Sequence, residues 1–249
     1  MNDSRDGGFA PLPATNDQFG AAHDYPLFVG RPRVYLIASA PRTGSHFLGD
    51  LLGQCGDLGR PFEYLNLARR KQWTDSTGTS NLADALSRLA QRRTSPSGWF
   101  GCKAHWSDFS DAITDPRVEA FLRAPSYIHI WRREKLAQAI SFVVAVQTNS
   151  WRSFQQPACE PVYDRPAIAS ALEDLTRQEA CWRDYFAARA IEPLTICYEE
   201  LIARPQQWID AVRHHLGAPE RNINPSETAV KPQATRLNDD WRRRYESGS

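Results

Sequence analysis

The ten residues Ala38-Ser-Ala-Pro-Arg-Thr-Gly-Ser-His-Phe47 hold the types and spacing best suited to chemistry in this chain. They follow a continuous apolar run and lead into an amphipathic stretch. A glycine flanked by hydroxyls at a helix start exposes backbone N–H groups. Together with the helix dipole, these groups attract phosphate or sulfate oxygens. Arg42 adds a planar guanidinium fork that matches such oxyanions. Compared with the nucleotide-binding loop G-x-x-x-x-G-K-[ST], Ser39 stands for the first Gly, Gly44 for the second and Ser45 for the Lys. Losing that Lys counts against an ATPase or GTPase. Thr43-Gly44-Ser45 also suits a plain helix start, but Arg42 and the apolar run before it favour a ligand.

The elements that must position this turn are legible as short apolar runs. Val34–Ala38, Trp99–Cys102, Tyr127–Trp131 and Leu194–Tyr198 read as strands buried on both faces of a parallel sheet. Between and after them, Phe47–Leu52, Leu82–Leu89, Leu136–Val146, Ile168–Phe186 and Trp208–Leu216 place apolar residues three and four apart, as helices do. That alternation predicts an α/β fold with a mostly parallel, doubly wound sheet. Ligands of such sheets gather at the carboxyl ends of the strands. Residues 150–166, with three prolines, read as a loop over one end of the sheet. Residues 1–28 read as a mobile leader, with Phe19 and Tyr25 available to dock, and 29–249 as a single domain.

The 249 residues contain 30 Lys+Arg against 29 Asp+Glu, a formal charge of +1. This balance argues against a dedicated nucleic-acid or membrane-surface protein, which needs a net basic field. It leaves room for a small cluster of cations around one anion. Five widely spaced cysteines suggest neither a disulfide framework nor a zinc site. No signal-peptide pattern and no membrane-length apolar stretch is read, so the expectation is a soluble cytoplasmic protein.

Five segments, in order over roughly residues 33–245, resemble sulfotransferases that use 3′-phosphoadenosine 5′-phosphosulfate (PAPS). They are most similar to the bacterial trehalose 2-sulfotransferase-like family. The segments are Tyr35-Leu-Ile-Ala-Ser-Ala-Pro-Arg-Thr-Gly-Ser45, Gly59-Arg-Pro-Phe-Glu-Tyr64 and Gly98-Trp-Phe-Gly-Cys-Lys-Ala-His-Trp106. The others are Ile128-His-Ile-Trp-Arg132 through Gln138-Ala-Ile-Ser-Phe142 to Thr148, and Gln233-Ala234 with Asp239-Asp-Trp241. The resemblance implies a P-loop-like three-layer fold. Arg42, Thr43, Gly44, Ser45 and His46 are then expected on the 5′-phosphosulfate, and Arg132 with Ser141 on the 3′-phosphate. Lys231 and Arg236 belong to a segment expected to close over the nucleotide. Ser141 equally suits a helix serine bonded to its own backbone, and Lys231–Arg236 a solvated basic tail.

Catalytic expectations follow from the same resemblance. Lys103 is expected beside the transferring sulfuryl group, where charge builds on the oxygens as in phosphoryl transfer. Two residues compete as the base. Glu63 matches the carboxylate proposed in the trehalose enzymes and is favoured. His105 resembles the His of a Lys-x-His in animal cytosolic sulfotransferases, and imidazole has the better pKa at neutral pH. As a base, Glu63 would need partial burial to rise toward about 6–7. The expected acceptor is a hydroxyl of a carbohydrate, glycolipid or glycosylated natural product, with Trp106, Trp151 and Arg152 available near it. PAPS is the expected donor, no metal is expected, and a homodimer is implied by analogy. The competing readings are a P-loop-type nucleotide phosphotransferase and a non-catalytic module that binds phosphate or the desulfated nucleotide, PAP.

Overall fold

An apolar run without alternation needs cover on both faces, and the first of them sits at the middle of the sheet. In the structure, a computed structural model, residues 18–123, 125–151, 155–228 and 236–248 are described. Four strands, β1 (Arg33–Ser39), β2 (Trp99–His105), β3 (Ser126–Trp131) and β4 (Leu194–Cys197), form one parallel sheet in the order β2-β1-β3-β4. The chain first steps from β1 to β2 on one side, then crosses to β3 on the other. The carboxyl ends of β1 and β3 therefore flank a topological switch point, where such sheets leave a crevice.

The helices are α1 (Ser45–Gln54), α2 (Arg70–Thr77), α3 (Leu82–Arg93), α4 (Trp106–Ala112), α5 (Pro116–Phe121), α6 (Lys135–Thr148), α7 (Arg165–Ala188), α8 (Tyr198–Ala203), α9 (Pro205–Leu216) and α10 (Arg236–Ser247). They form two outer layers. Leu36, Phe100, Cys102 and Ala104 pack on one face of the sheet with Trp73 of α2, Leu86 of α3, Phe109 of α4 and Trp182 of α7. On the other face, Tyr35, Ile37, Ile128 and Ile196 pack with Leu48 and Leu51 of α1 and with Ile209 and Val212 of α9. The three-layer α/β architecture expected from the sequence is therefore the one observed. A Cβ on Gly101 of β2 would lie 2.4 Å from the Tyr35 hydroxyl, so glycine is what lets this fully buried ring pass the neighbouring strand.

Local chemistry sets the helix boundaries. The side chain of Asn81 accepts from Asp84 N ahead of α3, and that of Asp164 accepts from Ala167 N ahead of α7. Gly217, at φ +64°, terminates α9. Two strands differ from their sequence reading. β2 runs on to His105, so Lys103 lies within the strand rather than after it, and β4 stops at Cys197 because Tyr198 opens α8.

Residues 18–28 correct the leader reading. Arg93 is buried in α3, and its guanidinium donates to the carbonyls of Gln18, Phe19 and Gly20, while Arg92 and Arg93 both approach Asp24 at 2.6 Å. The backbone N–H groups of Tyr25 and Phe28 donate to Arg92 and Gln91 carbonyls, and Phe19 packs on Trp73. This segment is part of the body because buried guanidinium donors satisfy its backbone carbonyls, a pattern with no side-chain signature. The rest of the leader lies outside the described residues. The five cysteines are free, and no described helix is long and apolar enough to cross a membrane.

Candidate active site

The loop from β1 to α1 adopts a strained backbone that exposes a helix start. Arg42 (φ 65°) and Gly44 (φ 81°) are both left-handed, and among the described residues no N-cap side chain bonds the first turn of α1. The N–H groups of such a turn, with the helix dipole, favour an anion. The loop is held from behind: Gln138 Nε2 donates to Pro41 O at 2.6 Å, and Trp182 Nε1 donates to Ser39 O at 2.9 Å. Thr43 is buried and its hydroxyl donates to Ala40 O. Its side chain therefore shapes the turn instead of facing a ligand.

Two arginines meet at the switch point. Arg42, which leaves β1, donates through Nε to Ser141 Oγ at 3.0 Å and through Nη1 to Trp151 O at 2.7 Å. Arg132, which leaves β3, reaches Arg42 O at 3.4 Å and lies over the Tyr198 ring at 4.7 Å. Its Nε is buried without a hydrogen-bond partner among the described residues, and the carboxylate of Glu199 is 3.9 Å away. Burial and the neighbouring Arg132 push the Arg42 guanidinium down to about 10. Two like charges crowded at the mouth of a helix, with an orphaned donor between them, suit a multivalent anion.

The second half of the site grows from β2. Phe62 adds a single parallel bridge outside this strand, and Lys103 N donates to Phe62 O. That pairing carries Glu63 to the side chain of Lys103, with Nζ to Oε1 at 3.2 Å. Two imidazoles close on the same oxygen: His46 Nε2 at 3.3 Å from α1 and His105 Nε2 at 3.5 Å. Lys103 Nζ also donates to His46 Nδ1 at 2.7 Å, which assigns the His46 proton to Nε2, facing the carboxylate. Ser39 Oγ donates to Ala104 O at 3.3 Å and lies 3.1 Å from His105 Nδ1, which ties the His105 ring to the end of β1. Burial alone would raise the Glu63 carboxyl. Lys103, His46 and His105 outweigh it and hold the group well below the usual carboxylate range. Glu63 does not rise as the sequence expectation required of a base.

Both halves open into one cleft of about 720 Å³, lined by Arg42, Gly44, Ser45, His46, Glu63, His105, Arg132 and Ser141 among others. Lys103 sits just behind Glu63 and is only 2% exposed. Trp151 lines the cleft, whereas Trp106 is half-buried against Trp182 and is not among the cleft-lining residues. Arg236 is exposed at the start of α10, and from the same turn it is Asn238 that lines the cleft. Lys231 and Arg152 lie outside the described residues. Sequence reasoning missed Gln138 and Trp182 as supports of the loop. Gln138 falls inside a motif segment, but Trp182 looks like any core aromatic of an amphipathic helix. Among the described residues, no group of three or more His, Cys, Asp or Glu has an arrangement that could hold a metal ion.

The family model described as Stf0 sulphotransferase matches residues 34–248, nearly the whole described chain. The chain belongs to the Stf0 sulphotransferase family. Curated relatives of this sulfotransferase include the trehalose 2-sulfotransferase of Mycobacterium tuberculosis (strain ATCC 35801 / TMC 107 / Erdman). It is 27% identical over 253 residues, covering 86% of this chain and 94% of the relative. Nodulation protein H of Rhizobium tropici is 27% identical over 228 residues, covering 82% of this chain and 83% of the relative. Among solved structures, a sulfotransferase from Alicyclobacillus acidocaldarius superposes with a TM-score of 0.51 at 16% identity, covering 88% of this chain and 93% of that one. The sulfotransferase domain of the Synechococcus PCC 7002 olefin synthase gives 0.50 at 17% identity, with 88% and 90% covered. These two structures bear on the fold alone.

Proposed function

We propose that this sulfotransferase moves the sulfuryl group of PAPS to a hydroxyl of a sugar-containing acceptor by in-line displacement. The observation that carries the donor assignment is the pair Arg42 and Arg132 at the switch point, with the Arg132 Nε buried and unpartnered. The open first turn of α1 and Ser141 complete a cradle whose chemistry fits a phosphosulfate and a 3′-phosphate. PAPS supplies an activated sulfuryl group on a good leaving phosphate. The acceptor rests on the named relatives, one of which is a trehalose 2-sulfotransferase.

In the transfer, the bond between sulfur and the bridging oxygen of the 5′-phosphate breaks as the acceptor oxygen bonds to sulfur, and PAP departs. Lys103 neutralises the charge that develops on the leaving and equatorial oxygens. The acceptor proton goes to Glu63. The cationic contacts crowd on its Oε1, while Oε2 has Asn66 Nδ2 at 3.5 Å. A carboxylate held this far below its usual range is a weak base. It suffices because a loose transition state makes little demand for deprotonation until the new bond acidifies the hydroxyl. The imidazoles of His46 and His105 flank Oε1 at 3.3 and 3.5 Å and position the carboxylate between them. Nδ1 of His105 is engaged by Ser39 and its Nε2 faces Glu63 at 3.5 Å, which favours Glu63 as the proton acceptor.

Incubation with labelled PAPS and a panel including trehalose and simple glycosides tests the assignment; labelled sulfate should appear on a glycoside. Donor consumption with no labelled glycoside removes the acceptor class, and no donor binding removes the whole reading. Gly44→Ala provides a structural control. Its Cβ would lie 2.3 Å from the Tyr198 ring on a backbone at φ +81°. The left-handed strain alone is worth about 1–2 kcal/mol, so PAP affinity is expected to fall roughly 10-fold or more. Unchanged affinity by calorimetry would show that the loop does not hold the nucleotide.

A further inference from the structure

The cations at the donor end are engaged with the loop, with Ser141 or with one another, but one arginine of the cleft wall is not. Arg69 lines the cleft at the acceptor end, and its guanidinium makes no hydrogen bond or ion pair among the described residues. Its neighbour Arg70 differs, since it pairs with Asp111 at 2.6 Å. Beside it the wall carries the amides of Gln18, Asn66 and Gln72, with Ala68 between them. Among the described residues, no carboxylate apart from Glu63 lines the cleft.

The placement of Arg69 is tied rigidly to Glu63. Asn66 N donates to Glu63 O at 3.2 Å, and Asn66 Nδ2 reaches Glu63 Oε2 at 3.5 Å. Asn66 Oδ1 then accepts from Arg69 N at 3.2 Å, capping the 3₁₀ turn Leu67–Arg69. Leu67 N donates to Asp108 Oδ1 at 2.9 Å, which pins the same turn to α4. Trp73 Nε1 donates to Glu63 O at 3.0 Å and fixes the other end. The ladder fixes the backbone of Arg69 relative to the proton-accepting carboxylate, so its guanidinium is placed within reach of a substituent next to the reacting hydroxyl. Amides beside it suit the remaining hydroxyls of a sugar.

We infer that Arg69 is a specificity-determining residue that recognises an anionic group, a carboxylate or phosphate, on the acceptor. The preferred acceptor is then an acidic sugar or its glycoside rather than a neutral one. This inference rests on the proposed sulfuryl transfer to a sugar hydroxyl and names its substrate class. A neutral disaccharide would leave this guanidinium unmatched, and a site built to hydrogen-bond a substituent discriminates against the analogue that lacks it.

The test is binding to the PAP-loaded protein, which needs no turnover. PAP affinity is measured first, by calorimetry. The quenching of tryptophan fluorescence, to which Trp151 in the cleft wall contributes, then follows methyl glucuronide, methyl glucoside and glucose 6-phosphate. The anionic ligands are expected to bind roughly 10- to 100-fold tighter than the glucoside, the range of a charge-assisted hydrogen-bonded pair. Arg69→Gln should erase that ratio while PAP affinity and glucoside affinity stay unchanged; Arg69→Lys should restore part of it. Glucuronide and 6-phosphate reported separately distinguish carboxylate from phosphate recognition. Equal or undetectable binding of charged and neutral ligands, or a ratio that survives Arg69→Gln, overturns the inference. Failure of PAP to bind instead removes the donor reading on which it stands.

Discussion

Lys103→Met is expected to lower kcat by about 10²–10³-fold, the usual loss when one fixed charge is removed from a developing oxyanion. The expectation follows from the position of Nζ, 2% exposed and held by Glu63 at 3.2 Å and His46 at 2.7 Å. Buried among these partners, the ammonium is preorganised and its charge is little screened by water. PAP binding should survive, because the two arginines that hold the nucleotide lie on other elements. The check is single-turnover sulfuryl transfer together with a PAP titration on the same preparation. A kcat within threefold of the parent with unchanged PAP affinity would remove Lys103 from the chemistry. Lys103→Met also deprives the buried carboxylate of its nearest cation, so combining it with Glu63→Gln should recover stability lost by the single change, measured by thermal unfolding.

Glu63→Gln carries the second large effect. Removing a positioned general base costs about 10²–10⁴-fold in rate, and a weak base acting late in a loose transition state falls at the low end, about 10²-fold. Glutamine keeps the shape and a hydrogen-bonding oxygen, so PAP affinity should be retained. If His105 were the base, Glu63→Gln would cost little and His105→Ala would cost the larger factor; that order of effects would reverse the assignment. The carboxylate also sets a pH dependence. Its folded pKa lies well below the usual carboxylate range, with burial opposing the shift and Lys103 the leading cause of it. A depressed pKa contributes stability that is fully present above the unfolded value, about 4.3, and is lost as pH falls through the folded value. Acid unfolding of the parent should therefore steepen below about pH 4.3 relative to Glu63→Gln, whose profile lacks this contribution. Parallel curves over that window would show that the carboxylate is not buried among cations.

Much of the scaffold could be read from the chain because its chemistry is local. The runs around Val34, Trp99, Tyr127 and Leu194 are strands because only a sheet covered on both faces buries unalternating apolar residues, and the helices between them follow their spacing. The turn at Arg42–Gly44 was visible from residue type, and the parallel topology brings Arg132 and Ser141 to it. What stayed hidden depends on distant partners. The convergence of His46, Lys103 and His105 on Glu63 needs the Phe62–Cys102 bridge, which has no sequence signal. Arg93 anchors residues 18–20 through their backbone carbonyls, so no pattern in those residues announces that they belong to the body. Trp106 and Trp151 look alike as sequence, but one packs on Trp182 and the other faces the cleft.

The central claim is that the cations at the ends of β1 and β3 hold a 3′-phosphorylated adenosine nucleotide for sulfuryl transfer. Calorimetric titration of the protein with PAP, set beside ATP with magnesium, tests it most directly. Strong PAP binding that Arg132→Met weakens by roughly 10-fold or more, with little affinity for ATP–magnesium, is the predicted result. Tight ATP–magnesium binding without PAP binding would contradict it.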